Sequence, residues 1–240
     1  MAKKTQQDKY DKFPKRHRDN MRARKSEPVT PAEAVSVLKS FKAPKFDQTV
    51  EVCFNLGIDP RHADQAIRGS VSLPKGIGKT SRVVAFCSAE QEKACLDAGA
   101  VKAGAENLVA EIERGWMDFD VAIASPDMMR VISKLGRVLG PKGLMPSPKA
   151  GTVTKDVVGA VEEFAAGKVE YRNDKGGNVH APIGKMSFSE GDLVENLTHF
   201  ISVIEGLRPS SVKGQYLKKV AISGTMTPSV LVKVASSEAE

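Results

Sequence analysis

Residues 82–124, RVVAFCSAEQEKACLDAGAVKAGAENLVAEIERGWMDFDVAIA, decide how the middle of this chain folds. Residues 82–87 are a short apolar run, and 120–124 are another. Two helical stretches lie between them, one ending near Gly99 and one over 105–114 that stops at Gly115. A short apolar segment, 101–103, separates the two helices. Short apolar strands alternating with helices imply a parallel sheet covered on both faces. Ser125-Pro126 then opens a helix expected to run toward Leu139, and 154–166 reads as a last helix ended by Gly167.

The rhythm changes on both sides. Thr30-Pro31-Ala32-Glu33 is a helix start, with Thr30 as cap, Pro31 at the first position and Glu33 completing a capping box. Val50, Val52, Phe54 and Leu56 then alternate with Thr49, Glu51, Cys53 and Asn55, a half-buried strand. Ile67, Val71 and Leu73 alternate with polar residues in a second strand. Downstream, 168–172 and 178–182 flank Asn173-Asp174-Lys175-Gly176-Gly177, which predicts a hairpin. Ser189 opens a long helix with Leu193, Leu197, Phe200, Ile201 and Ile204 on one face. Two strands near 216–223 and 229–234 follow, joined by Gly224-Thr225-Met226-Thr227-Pro228.

The simplest assembly is nested. The expected fold class is α+β, a discontinuous two-domain protein. Residues 30–75 and 168–240 form one domain around an antiparallel sheet, and 76–167 form an inserted Rossmann-like α/β domain. Residues 1–29 are a basic N-terminal tail. The two crossings, near Gly76 and Gly167, predict a hinge.

Charge is distributed unevenly. The 240 residues carry a net charge of +7, and residues 1–25 account for it with ten Lys or Arg against three Asp. The other 215 residues hold 26 basic and 26 acidic groups. Such a balance favours polyanionic partners; basic N-terminal arms commonly bind nucleic acid, and the other reading of this one is a disordered, solvated tail with no single partner. The tail has no apolar core of the secretory kind, and no apolar stretch is long enough to span a membrane. Cys53, Cys87 and Cys95 lack Cys-x-x-Cys spacing and fit a reducing cytoplasm better than a disulfide framework.

A second basic concentration lies at 135–153, LGRVLGPKGLMPSPKAGTV, with four Gly and three Pro. Between Met128 and Lys155 there are six Lys or Arg and no acid, among them Arg137, Lys142 and Lys149. Gly and Pro at this density preclude a regular element. Crowded like charge is unfavourable unless an anion lies near. The run therefore reads as a surface presented to something.

Catalytic signals are weak. Gly76-Ile77-Gly78-Lys79-Thr80 suggests a nucleotide-binding loop, but Leu73 stands where the motif needs its first Gly, and the apolar run follows the loop instead of preceding it. His17, His62, His180 and His199 show no metal-ligand spacing. The expected chain is not an enzyme and carries no cofactor or metal. The alternative class is an enzyme acting on a nucleotide or phosphorylated substrate in the middle domain.

The 135–153 stretch closely resembles the signature of the bacterial ribosomal protein L1 family. The likeness extends through KFDQTVEV at 45–52, NLGIDPRHADQAIRG at 55–69, GWMDFDVAIASPD at 115–127 and YRNDKGGNVHAPIGK at 171–185. The resemblance implies the nested fold and a place in the large ribosomal subunit. It implies direct binding of large-subunit rRNA, the mobile stalk beside the tRNA exit site, help in releasing deacylated tRNA, and repression of the protein's own operon mRNA. It implies a ribosome-associated, cytoplasmic protein, monomeric when free. Carried over where motifs match, rRNA contacts fall on Lys45, Phe46, Thr49, Thr225 and Met226. Arg68 and Arg172 are additions expected on the same sheet. Arg137, Lys142 and Lys149 are expected to make secondary contacts with stalk RNA or tRNA. Three departures stand out: Thr227 and Ala66 replace the family's usual Gly and Asn, and Lys75 a common His.

Overall fold

The computed structural model describes residues 13–62 and 64–234. Strands and helices mix throughout, with an antiparallel sheet and a separate parallel sheet. The chain falls into two compact units. One comprises residues up to Ile67, Leu73–Ile77 and the chain from Arg172 onward; the other comprises Arg68–Ser72 and Gly78–Tyr171.

The described part of the first unit opens with α1 (Lys15–Ala23), which lies inside the segment that composition marks as a tail. Composition does not reveal it because its docking is polar. Asn20 is buried, donates from Nδ2 to the Lys42 carbonyl at 3.1 Å and accepts the Lys42 amide at 2.8 Å. Helix α2 (Pro31–Ser40) starts where the Thr30–Glu33 pattern places it, and Thr30 Oγ1 accepts the Glu33 amide at 3.4 Å. Strands β1 (Thr49–Leu56), β7 (Asn178–Lys185), β8 (Leu217–Gly224) and β9 (Val230–Val232) form an antiparallel sheet in the order β7-β1-β8-β9. The alternating apolar residues of β1 all point inward, and Val50, Val52 and Phe54 are fully buried.

That inward face is covered by α2 and by α8 (Glu190–Gly206). Ser189 caps α8 by accepting the Asp192 amide at 3.1 Å. All five predicted apolar residues of α8 are buried. Phe200 meets Phe54 edge to face, with centroids 5.1 Å apart. Each fully buried Phe contributes about 1.5–3 kcal/mol. A bulge between Val50 and Glu51 places Gly184 opposite Val50 at φ +154°. A Cβ there would stand 2.9 Å from Leu193 Cδ2, so Gly lets the sheet sit close on α8.

The second unit holds β3 (Val83–Phe86), β4 (Lys102–Gly104) and β5 (Val121–Ala124), all parallel, in the order β4-β3-β5. Residues 82–124 thus make the parallel sheet that their alternation predicts. One face packs on α3 (Ala89–Asp97) and α7 (Val157–Ala165), through Val83, Ala85, Cys95, Val161 and Phe164. The other packs on α4 (Glu106–Glu113) and on residues 126–139, through Val84, Phe86, Ile112, Ile132 and Leu139. The single helix expected toward Leu139 is instead a chain of short pieces. It contains α5 (Met129–Ile132) and α6 (Gly136–Leu139), each preceded by a 3₁₀ turn.

Two expectations need correction. The segments flanking residues 173–177 do not form a hairpin ladder. Strand β6 (Val169–Arg172) pairs with β2 (Arg68–Val71) as a separate ribbon, while β7 joins β1. Among the described residues an isolated Asn173–Val179 bridge and an Asp174 amide bond to the Asn178 carbonyl at 2.7 Å link the two sides. The turn itself forms, with Asp174 Oδ1 accepting the amides of Gly176 and Asn178 at 2.8 and 2.7 Å. Its strands then part because each has a better partner elsewhere. It follows that Arg68 and Arg172 stand on the β2–β6 ribbon, not on the four-stranded sheet.

Candidate RNA interface

The loop leading into β1 and the β8–β9 turn meet at one end of the four-stranded sheet. The Thr49 amide donates to Thr225 Oγ1 at 3.2 Å, and the Thr225 amide donates to the Thr49 carbonyl at 3.1 Å. These bonds carry the β1–β8 ladder one step past Val50–Gly224, its last paired residues. Lys185, placed opposite Thr49 by the bulge, donates from Nζ to Thr49 Oγ1 at 2.9 Å. Lys45, Phe46, Thr49, Thr225 and Met226 are therefore brought together at one sheet end.

The apolar pair of this set stands on the surface. Phe46 is 53% exposed and Met226 50%, so neither is core. Lys45 and Thr225 are also exposed. The surface offers a cation, a hydroxyl, a flat ring and a soft thioether on a backbone fixed from below. Such a set suits contact with RNA by shape, through phosphate and 2′-hydroxyl groups with stacking.

Other residues hold this surface, and motif reading passed over them. Gln48 is fully buried and accepts the Met226 amide on Oε1 at 2.8 Å. Its Nε2 has no partner among the described residues. The signal lay in the alternation: Gln48 continues the inward phase of Val50 and Val52, where a polar residue needs a reason. Asp47 accepts the amide and hydroxyl of Ser187 at 3.1 and 2.8 Å. Thr227 Oγ1 accepts the Gly224 amide at 2.8 Å and closes the turn. No non-Gly residue has positive φ among those described, so the turn does not require Gly at position 227.

The remaining expected contacts lie elsewhere. Arg68 pairs with Glu170 through Nη2 at 2.7 Å and Nε at 2.9 Å, so its charge is already matched. Arg172 is exposed on the same ribbon. In the second unit, Arg137, Lys142 and Lys149 are exposed, and none has a carboxylate partner among the described residues. Arg137 stands on α6 and Lys149 on a 3₁₀ turn, so part of the run that its Gly and Pro mark as irregular is helical, and the rest is built, not slack. Thr152 is buried; its Oγ1 accepts the Ser147 amide at 2.8 Å and donates to the Ser147 carbonyl at 3.1 Å. Leu144 and Met145 pack on the core below. Ala124 and Val153 form a parallel bridge that adds the end of the loop to the sheet.

The nucleotide-loop candidate does not assemble. Lys79 Nζ pairs with Asp120 Oδ1 at 3.2 Å, and strand β3, not a helix, follows. Cys53, His180 and Asp174 come together on the open side of the sheet, with Cys53 Sγ 3.9 Å from His180 Nε2. Asp174 Oδ2 is also 3.9 Å from that same Nε2, so the imidazole cannot link the two through opposite nitrogens as a relay requires. Burial, and then the Asp174 charge, push the Cys53 thiol up, against nucleophile activation. Among the described residues no helix is long and apolar enough to cross a membrane.

An exposed cation-and-hydroxyl surface at a sheet end, with a separate built basic run, suits a protein of the nucleic-acid-binding class. A family model described as the Ribosomal protein L1p/L10e family matches residues 38–228. The chain belongs to that family, and is thus an rRNA-binding protein of the large ribosomal subunit.

Proposed function

We propose that the protein forms the mobile stalk of the large subunit beside the tRNA exit site. The Lys45, Phe46, Thr49, Thr225 and Met226 surface takes a folded rRNA segment by its shape. The observation that carries this is the Thr49–Thr225 junction, which fixes two exposed apolar side chains beside an exposed Lys and a hydroxyl. Arg172 adds a contact from its ribbon, and Arg68 serves mainly to hold Glu170. The same surface takes a similar fold in the mRNA of the protein's own operon and so represses translation. Arg137, Lys142 and Lys149 meet phosphates of stalk RNA or of the deacylated tRNA whose release the protein assists.

In this reading the protein is cytoplasmic, monomeric when free, and neither an enzyme nor a cofactor carrier. Residues 76–167 act as an inserted Rossmann-like domain between the two halves of the rRNA-binding domain. The test is equilibrium binding to a large-subunit rRNA fragment. The logarithm of affinity should fall with the logarithm of salt by roughly 0.7–0.9 per phosphate neutralised. ATP and GTP should leave it unchanged. Saturable nucleotide binding with turnover would overturn the reading in favour of an enzyme.

A further inference from the structure

The basic charge of residues 13–25 is held as a shaped surface. Helix α1 has nine residues, no acid in its first turn and no side-chain cap at Pro14. Lys15, Arg18 and Arg22 fall at like-charge helical spacings, which oppose the helix on its own. Tertiary contacts hold it. Asn20 clasps both backbone groups of Lys42, and Lys42 Nζ reaches Asp19 Oδ2 at 2.7 Å. The Lys42 ammonium, by that hydrogen bond first, holds the Asp19 carboxyl below its ordinary range.

This clasp sets the direction of the charges. With Asn20 turned in, Lys15 and Arg22 share the outward side and are exposed, as is Lys25 just beyond. None of the three has a carboxylate partner among the described residues. The only acid of 13–25 is Asp19, and Lys42 already occupies it. The clasped residue, Lys42, precedes Lys45 by three positions, a span of at most about 11 Å of chain. The cationic side of α1 is thus tied next to the loop that presents Lys45 and Phe46.

We propose that α1 is a second RNA-contacting element, in which Lys15, Arg22 and Lys25 bind phosphates of the RNA held at the Thr49–Thr225 surface, with the Asn20–Lys42 clasp as its positioning device. The inference rests on the RNA reading above. Charge complementarity selects the occupant: an outward cationic side whose one acid, Asp19, is already bonded to Lys42, tied beside a surface suited to a polyanion.

The experiment is binding of the full chain to the large-subunit rRNA fragment across a salt series. It compares wild type, Lys15→Gln/Arg22→Gln, Lys15→Arg/Arg22→Lys, Asn20→Ala, and a charge-matched control, Lys93→Gln/Lys213→Gln. The first variant should bind about tenfold more weakly at 0.15 M salt, with a slope shallower by roughly 1.4–1.8 for two lost phosphate contacts. The charge-preserving variant and the control should keep the wild-type slope. Asn20→Ala retains every charge, yet should lose slope while its circular dichroism stays native. A wild-type slope in Lys15→Gln/Arg22→Gln, or an equal loss in the control, overturns the phosphate contact. A wild-type slope in Asn20→Ala overturns the clasp. Wild type that does not prefer the fragment to a scrambled RNA of equal length overturns the parent reading, and this one with it.

Discussion

The Thr49 amide points at Thr225 Oγ1, 3.2 Å away and 176 residues distant in sequence, while the Thr225 amide returns a bond to the Thr49 carbonyl. Thr225 therefore has a structural task as well as an exposed hydroxyl.

Thr225→Ala should show both tasks. Loss of the side-chain acceptor costs about 1 kcal/mol of stability, because the backbone bond to Thr49 remains. Affinity for the rRNA fragment should fall about tenfold, by the order of a hydrogen bond to a charged group. Phe46→Ala separates the two effects. Phe46 is 53% exposed, so stability should stay within about 0.5 kcal/mol while affinity falls. Urea unfolding and fragment titration measure the pair. Unchanged affinity in both variants would remove the proposed surface.

Asn196 should be far less tolerant. It is fully buried, donates to the carbonyls of Ile183 at 2.8 Å and Gly76 at 3.0 Å, and accepts the Lys75 amide at 3.1 Å. Asn196→Leu keeps the volume but strands those groups. The expected loss in urea unfolding is about 3 kcal/mol. A loss under about 1 kcal/mol would mean water or another side chain replaces the amide.

The cysteines should react in a fixed order. Cys87 is fully buried, and its thiol is pushed up to about 12, by burial first and then by the neighbouring Cys95 thiol. Cys95 is raised by burial too, whereas Cys53 is half-buried. Native protein at pH 8 treated with iodoacetamide should carry label at Cys53 first and none at Cys87 on the same timescale. In denaturant all three should label alike. Peptide mass mapping gives the order, and early label at Cys87 would contradict the packing of β3 against α3.

The Asp174 turn predicts an acid-side effect. Hydrogen bonds from the Asn178 amide, and then from the Asn178 side chain, lower the Asp174 carboxyl below its ordinary 3.8. A carboxyl depressed in the folded state stabilises fully above its unfolded value and loses that contribution as pH falls through the folded one. The stability gap between wild type and Asp174→Ala should therefore be constant from neutral pH to about pH 5. It should begin to narrow as the ordinary value is approached and go on narrowing below it. Unfolding at stepped pH checks this; a gap that widens in acid would contradict it.

Much of this was legible along the chain. The phase of Val50, Val52, Phe54 and Leu56, the Thr30 and Ser189 caps and the strand–helix alternation of 82–124 are local patterns, and each appears where expected. The helix toward Leu139 and the hairpin at Asn173 did not form as expected. Local signals describe a turn or an apolar stretch, but not whether a neighbouring segment offers a better partner. Helix α1 was hidden because a polar clasp leaves no hydrophobic period.

The sequence by itself determined the class of fold, the inward faces and the family, since these rest on periodicities of a few residues and on long matched motifs. Only the tertiary structure decided that Thr49 meets Thr225, that Gln48 holds Met226 from below, and that Arg68 is engaged by Glu170. The reason is physical. Burial of an apolar face fixes which way each strand points, but the register between strands is settled only when all of them compete for the same partners and the bulge at Gly184 shifts one against the other.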